Sequence, residues 1–352
     1  TEIYTLSLHD ALPIYIKSQY LMVIRLLKYF LIGLLLILSI LIGWIIFPRI
    51  WSSLNPTKPP MGYYSTPVAY AAIWLGIDKL AELEPAVPGN IEEIRDIEYK
   101  NIDGKSLQLD IYRPKNLEKA APLIVFIHGG SWKSGKRSDY LVYLLSYARK
   151  GYITATVSYQ LLRDGPYPAC IEDITDAIRW FYSNGEKYGY DPSRMALVGG
   201  SAGAHLAMLA GYGWKNMDIT GDSLCFHPAG SGVKAVVDIY GPADLTTVYA
   251  RNHSLVTSFL DTTWDESPDI FRQASPVHYL DKNDPPTLIL HGTSDRLEPV
   301  SQSDLLKNKL DSLGVPCVLH RLPGWPHTMD IVLRVNEFCQ KKMDEFFKLY
   351  LN

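Results

Sequence analysis

The stretch Met195-Ala-Leu-Val-Gly-Gly-Ser201-Ala-Gly-Ala-His205 decides the reading of this chain. Met195–Val198 is a short apolar run of the kind a strand buried on both faces shows, and Ala202–Tyr212 reads as a helix. Ser201 sits at the turn between them, with glycines two positions either side at Gly199 and Gly203. Small residues there let strand and helix approach closely, and the turn lifts the hydroxyl above the sheet. The helix N-terminus adds positive potential beside that hydroxyl. A serine hydroxyl is a weak nucleophile on its own, so it needs a base, and the base an orienting carboxylate.

Both partners follow in the chain. Asp295 lies in His291-Gly-Thr-Ser-Asp295, after the predicted strand Thr287–Leu290. His327 lies in Gly324-Trp-Pro-His327, after the predicted strand Val318–Leu322. Each falls on a loop at a strand's carboxyl end, which is where open α/β sheets place their sites. Upstream, His128-Gly-Gly-Ser-Trp132 follows the strand Leu123–Ile127. Gly129 and Gly130 there expose backbone N–H groups that, with the N–H of Ala202, can hold a developing oxyanion. His128 reads as structural, because the role of base is filled. His205 reads as a packed residue, and Asp244, in a Gly-Pro-Ala-Asp context, as a loop or cap residue rather than a rival acid. Glu298, followed by Pro299, reads as a surface position. Trp132, Tyr240 and Trp325 flank the predicted site as candidate pocket residues, and core packing accounts for each equally well.

Working outward, strands alternate with helices: Ile153–Val157 and Val233–Ile239 are further strands, and 141–150, 168–188, 301–313 and 331–349 are helical. A hairpin of Ile94–Tyr99 and Leu107–Tyr112 precedes them. The expectation is a mostly parallel central sheet with helices on both faces, filling residues 91–352. Segments 213–232 and 242–284 interrupt the alternation and are expected above the carboxyl ends of the strands.

Taken together, His128-Gly-Gly-Ser-Trp132, Gly199-Gly-Ser-Ala-Gly-Ala-His205, Tyr240-Gly-Pro-Ala-Asp-Leu245 and His291-Gly-Thr-Ser-Asp295 resemble the α/β-hydrolase esterases. More narrowly they resemble the branch of hormone-sensitive lipase and of the bacterial feruloyl and acetyl-xylan esterases known as BD-FAE. Asp191-Pro-Ser-Arg194 fits that branch, and the Ser, Asp, His order is the α/β-hydrolase order. The resemblance covers about residues 94–351. It implies hydrolysis of small or short-acyl carboxylic esters through an acyl-enzyme, with no metal or organic cofactor. The motifs alone leave open an amidase, formamidase or peptidase on the same fold. A non-catalytic binding module on a membrane tether would typically have lost part of the machinery. The sequence around Trp325-Pro-His-Thr328 departs from the Gly-His-Gly-Phe-like stretch common in the family.

The N-terminal part is different in kind. Thr5–Ile14 resembles one reading frame of a sequencing adapter, so residues 1–21 are set aside as scar and leader, with Met22 as a start. Tyr29–Phe47 is uncharged and, at ~1.5 Å per residue, would span about 28 Å as a helix, close to a bilayer's apolar thickness. A cleaved signal would have a shorter apolar run followed by small residues, whereas Trp44-Ile-Ile-Phe47 is bulky. Residues 22–48 therefore read as a single-pass anchor. Arg25 and Lys28 before it and Arg49 and Lys58 after it leave little charge bias. An anchor ahead of one large domain favours that domain outside the cytoplasm. Residues 49–90 form a linker in which Pro67–Leu83 reads as an amphipathic helix, packed on the domain or lying on the membrane.

Across all 352 residues, 47% are hydrophobic and 20% charged, with a net charge of −3. That composition supports a large core and excludes disorder, and near-neutrality argues against a nucleic-acid binder. Cys170, Cys225, Cys317 and Cys339 are too few for a disulfide scaffold, and could pair outside the cytoplasm or stay as buried thiols. No CxxC or HExxH pair suggests a metal.

Overall fold

The computed structural model describes residues 8–212 and 233–351, with side chains from residue 19 onward. Cys225 and the insertion at 213–232 lie outside the described residues. Eight strands form one sheet in the order β1-β2-β4-β3-β5-β6-β7-β8. They are β1 Ile91–Ile102, β2 Lys105–Pro114, β3 Ala121–Ile127, β4 Ile153–Val157, β5 Tyr190–Gly200, β6 Val233–Ile239, β7 Thr287–Gly292 and β8 Cys317–Leu322. β1 pairs antiparallel with β2, and β2 antiparallel with β4. All other pairings are parallel. Parallel neighbours need crossovers, and the helices supply them on both faces.

The two-residue period of a strand divides the core in two. Leu123, Val125 and Ile127 of β3 and Met195 and Leu197 of β5 face one cluster. Helices α4 (Ala169–Tyr188) and α5 (Ala202–Tyr212) cover that side. Ile124, Phe126, Ala196 and Val198 face the other, under α3 (Leu141–Arg149) and α10 (Leu333–Tyr350). The last crossover helix, α9 (Ser301–Ser312), buries Leu306 and Leu310 in the first cluster. The 242–284 insertion carries three short helices, α6 Val248–Arg251, α7 Ser254–Leu260 and α8 Pro268–Gln273. Cys170, Cys317 and Cys339 are free thiols.

Ahead of the sheet runs α1, Leu8–Leu54. Its stretch Gln19–Leu54 is long and apolar enough to cross a membrane, with none of its most apolar window buried in the protein. The linker packs on the domain, with Tyr63, Ala69 and Ala72 buried in the second cluster. Its helix is shorter than expected: α2 covers only Thr66–Trp74. Gly76 takes a left-handed backbone (φ +72°), and the N–H groups of Gly76 and Ile77 turn back to the carbonyls of Ile73 and Ala72. This is a Schellman ending, which stops the helix well before Leu83.

Past that stop, Asp78 is 3% exposed and meets Arg334 of α10, which donates from Nε and Nη2 at 2.7 and 2.9 Å. Tyr63 also donates to Asp78, and Arg334 Nη1 reaches Ser52 Oγ and the Met61 carbonyl. The guanidinium lies over the Trp325 ring, whose indole N–H donates to the Pro60 carbonyl. The N–H groups of Gly62 and Tyr64 donate to the carbonyls of Pro323 and Gly324. The segment that follows α1 is thus bonded to the loop that carries His327. Removing one partner of a buried ion pair strands the other. Arg334→Met should cost about 3 kcal/mol or more by that rule, read as a lower midpoint in urea denaturation of the full chain.

Candidate active site

Ser201 has φ +55°, a left-handed backbone that an L-residue holds only when its surroundings enforce it. The surroundings here are two close approaches. A Cβ on Gly199 would lie 2.2 Å from the Gly203 carbonyl carbon, and one on Gly203 would lie 2.1 Å from the Ile127 carbonyl oxygen. The N–H of Ser201 is tied to the Ile239 carbonyl. The turn between β5 and α5 is therefore clamped between β3 and β6.

His327 Nε2 lies 3.0 Å from Ser201 Oγ, and its Nδ1 lies 2.6 Å from Asp295 Oδ2. With Nδ1–H donating to the carboxylate, Nε2 presents its lone pair to the serine hydroxyl. The structure brings together all three residues that the sequence singled out. Asp295 is itself fixed: its Oδ1 accepts the N–H groups of Leu297 and Glu298, at 2.9 and 2.8 Å. His291 Nε2 stands 3.4 Å from its Oδ2. Burial alone would raise this carboxyl, but hydrogen bonds from His291 and His327 outweigh it and hold it at about 2.

His291 is a partner the sequence did not single out. Fully buried, it also bonds Ser303 through Nδ1 and the Glu298 carbonyl through Nε2. Glu298 is a correction. It is not a surface residue: its carboxyl turns inward and lines the cleft beside Ser201. Burial, then the charges of Asp295 and Asp238, push that acid well above the usual range.

The glycine loop meets the serine turn directly. A Cβ on Gly129 would stand 3.5 Å from that of Ser201 and 2.7 Å from the Gly200 carbonyl oxygen. Gly130 has φ +105°, and Ala202 opens α5. His128 is buried and stacked on Tyr159, and burial lowers its pKa. Trp132 lines the cleft with Ser201 and stacks on Phe259. Its indole N–H donates to His205 Nδ1, while His205 Nε2–H donates to the Ala274 carbonyl. Burial lowers His205 to about 4, so it serves as a neutral acceptor. Tyr240 lies behind the cleft: its ring packs against that of His327 and its hydroxyl donates to buried Asp330. Trp325 is buried against the linker and lines the groove between α2 and the His327 loop. Asp244 accepts from the N–H and hydroxyl of Thr246, as a local turn residue does. Tyr249, His253 and Val256 of the insertion also line the cleft. Only the break in strand–helix alternation hinted at them.

Residues 109–310 match the model of the BD-FAE family. The chain belongs to that family. It is 31% identical to the esterase LipC of Mycobacterium tuberculosis, over 71% of this chain and 64% of that protein. It is 27% identical to the isoprenylcysteine alpha-carbonyl methylesterase ICME of Arabidopsis thaliana, over 63% of this chain and 53% of that one. The match thus spans about half to two thirds of these relatives' length. A truncated carbohydrate esterase from gut microbiota superposes with a TM-score of 0.62 at 27% identity, covering 76% of this chain and 98% of that structure. The α/β-hydrolase fold expected from the motifs is the fold of this BD-FAE member.

A carboxyl depressed from 3.8 to about 2 binds fewer protons in the folded than in the unfolded chain. Its contribution to stability is complete above about pH 4 and is lost as pH falls toward 2. Asp295→Asn should therefore flatten the fall in urea midpoint across that window. Urea denaturation of both proteins at stepped pH measures it.

Proposed function

We propose that this protein is a serine carboxylic-ester hydrolase working through an acyl-enzyme. The observation that carries the proposal is the continuous line from Asp295 Oδ2 to His327 Nδ1 and from Nε2 to Ser201 Oγ. In this reading His327 takes the hydroxyl proton as Oγ bonds to the ester carbonyl carbon. The carbonyl electron pair moves to oxygen, and the N–H groups of Gly129, Gly130 and Ala202 stabilise that oxyanion. Collapse breaks the carbon–oxygen bond to the alcohol, which leaves with the proton from His327. Water then adds to the acyl-enzyme by the same route, releases the acid and restores Ser201. Asp295 stays ionised throughout, keeping the imidazole in its required tautomer and balancing the charge it acquires. The esterase names of the relatives support the bond class. No step of this reading calls on a cofactor.

Ser201→Ala should lower turnover of p-nitrophenyl acetate by on the order of 10⁴-fold or more and abolish labelling by a fluorophosphonate probe. Retained turnover in that variant would refute the nucleophile assignment.

The anchor reading of residues 22–48 belongs to the same proposal, with the hydrolase domain on the outer face. The exposed apolar surface of α1 supports it. The full chain should stay with the membrane fraction after a high-salt wash and come free only in detergent. Protease added to intact cells should digest the domain, and full protection would place it on the inner side.

A further inference from the structure

Two openings flank the Ser201–His327 pair. The smaller, of about 20 Å³, is lined by Trp132, Ser201, Ala202, Val256 and Leu297 among others. The larger, of about 220 Å³, runs between α2 and the His327 loop, past Ala69, Ile73, Leu297, His327, Ile331 and Val332. Leu297 lines both, so they adjoin at that side chain. We propose that the larger groove is the subsite for the ester's alcohol and the smaller one the subsite for its acyl group. The preferred substrates are then short-acyl esters of long, apolar alcohols. This assignment rests on the hydrolase reading above and adds the substrate class to it.

The chemistry sets the two sides. The leaving oxygen must come within reach of His327 Nε2 to receive its proton, so the alcohol chain starts beside that imidazole. His327 lines the larger groove and not the smaller. The acyl substituent hangs from the carbon bonded to Ser201 Oγ, and Ser201 and Ala202 line the smaller opening. A space of about 20 Å³ admits little more than one water-sized group. That space suits an acetyl methyl better than a long acyl chain.

The larger groove is mostly apolar, with Thr66, Ser294, Arg296 and Thr328 as polar members of its lining, and the apolar share favours an alkyl chain over a sugar. One wall is α2, which follows the apolar helix α1 by a short segment and packs against it. Tyr70, which lines the groove, is 67% exposed, and Trp74 and Leu75 at the carboxyl end of the same helix are 85% and 53% exposed. The exposed apolar residues of α2, next to α1, suit an alcohol whose chain is held in a lipid phase.

The test uses the full chain in detergent micelles, with acid release followed by pH-stat titration. Ethyl, hexyl and decyl acetate are compared with methyl undecanoate, which matches decyl acetate in carbon count but carries its length on the acyl side. The expected kcat/KM rises with alcohol length, by roughly fourfold per methylene over the first few groups. Decyl acetate should exceed methyl undecanoate by about 100-fold or more on the same scale. Tyr70→Glu, at an exposed helical position, and Ile73→Trp, which fills the groove, should each lower the decyl-to-ethyl ratio at least about tenfold. If Ile73→Trp fails to fold, Tyr70→Glu carries the test alone. Equal or better turnover of methyl undecanoate, or an unchanged ratio in the folded variants, would overturn the assignment while leaving the hydrolase reading intact. No turnover even of ethyl acetate would overturn both.

Discussion

The structure turns on the backbone of one residue. Ser201 is held in a left-handed conformation because Gly203 leaves no space between α5 and the end of β3, and Gly199 none between β5 and α5. A side chain at either position would push helix from sheet by more than an ångström. The parallel spacing of β3, β5 and β6 therefore sets the height of the serine hydroxyl, and every other part of the site must come to it. The glycine loop after β3 and the loops after β7 and β8 do so from neighbouring strands of one sheet.

Two of those loops are rigid for reasons of their own. The β7 loop is closed by the Asp295 carboxylate on its following N–H groups, and by His291 braced against Ser303. The β8 loop is closed by a segment from far upstream, residues 60–64, through two backbone hydrogen bonds and the Trp325 indole. The imidazole is therefore oriented from both sides, by a carboxylate at Nδ1 and by the Tyr240 ring at its face.

The parts that sequence made legible are those in which local backbone chemistry and function coincide. Gly199–Gly203 and His128–Trp132 need particular residue types at fixed offsets, and alternating apolar strands marked where Asp295 and His327 would emerge. What stayed hidden depends on contacts between distant positions. The stop in α2 follows from Gly76 and from the placement of Asp78 beside Arg334, neither evident from the apolar spacing of Pro67–Leu83. Glu298 reads as exposed because Pro299 follows it, yet the turn that caps Asp295 rotates it inward. The cleft wall at Tyr249 and Val256 belongs to an insertion with no periodicity to read.

The Arg334–Asp78 contact joins positions 256 residues apart, and Trp325 reaches 265 residues back to Pro60. During synthesis the segment behind α1 leaves the ribosome well before its partners on the β8 loop and α10. Until then Asp78 and the strip at 60–64 have nothing to close on, whatever the sheet has already assembled. Contacts of such high sequence separation carry a larger loop-closure entropy cost than local ones. Docking of residues 60–64 thus ties the seating of the imidazole loop to a chain closure spanning 265 residues.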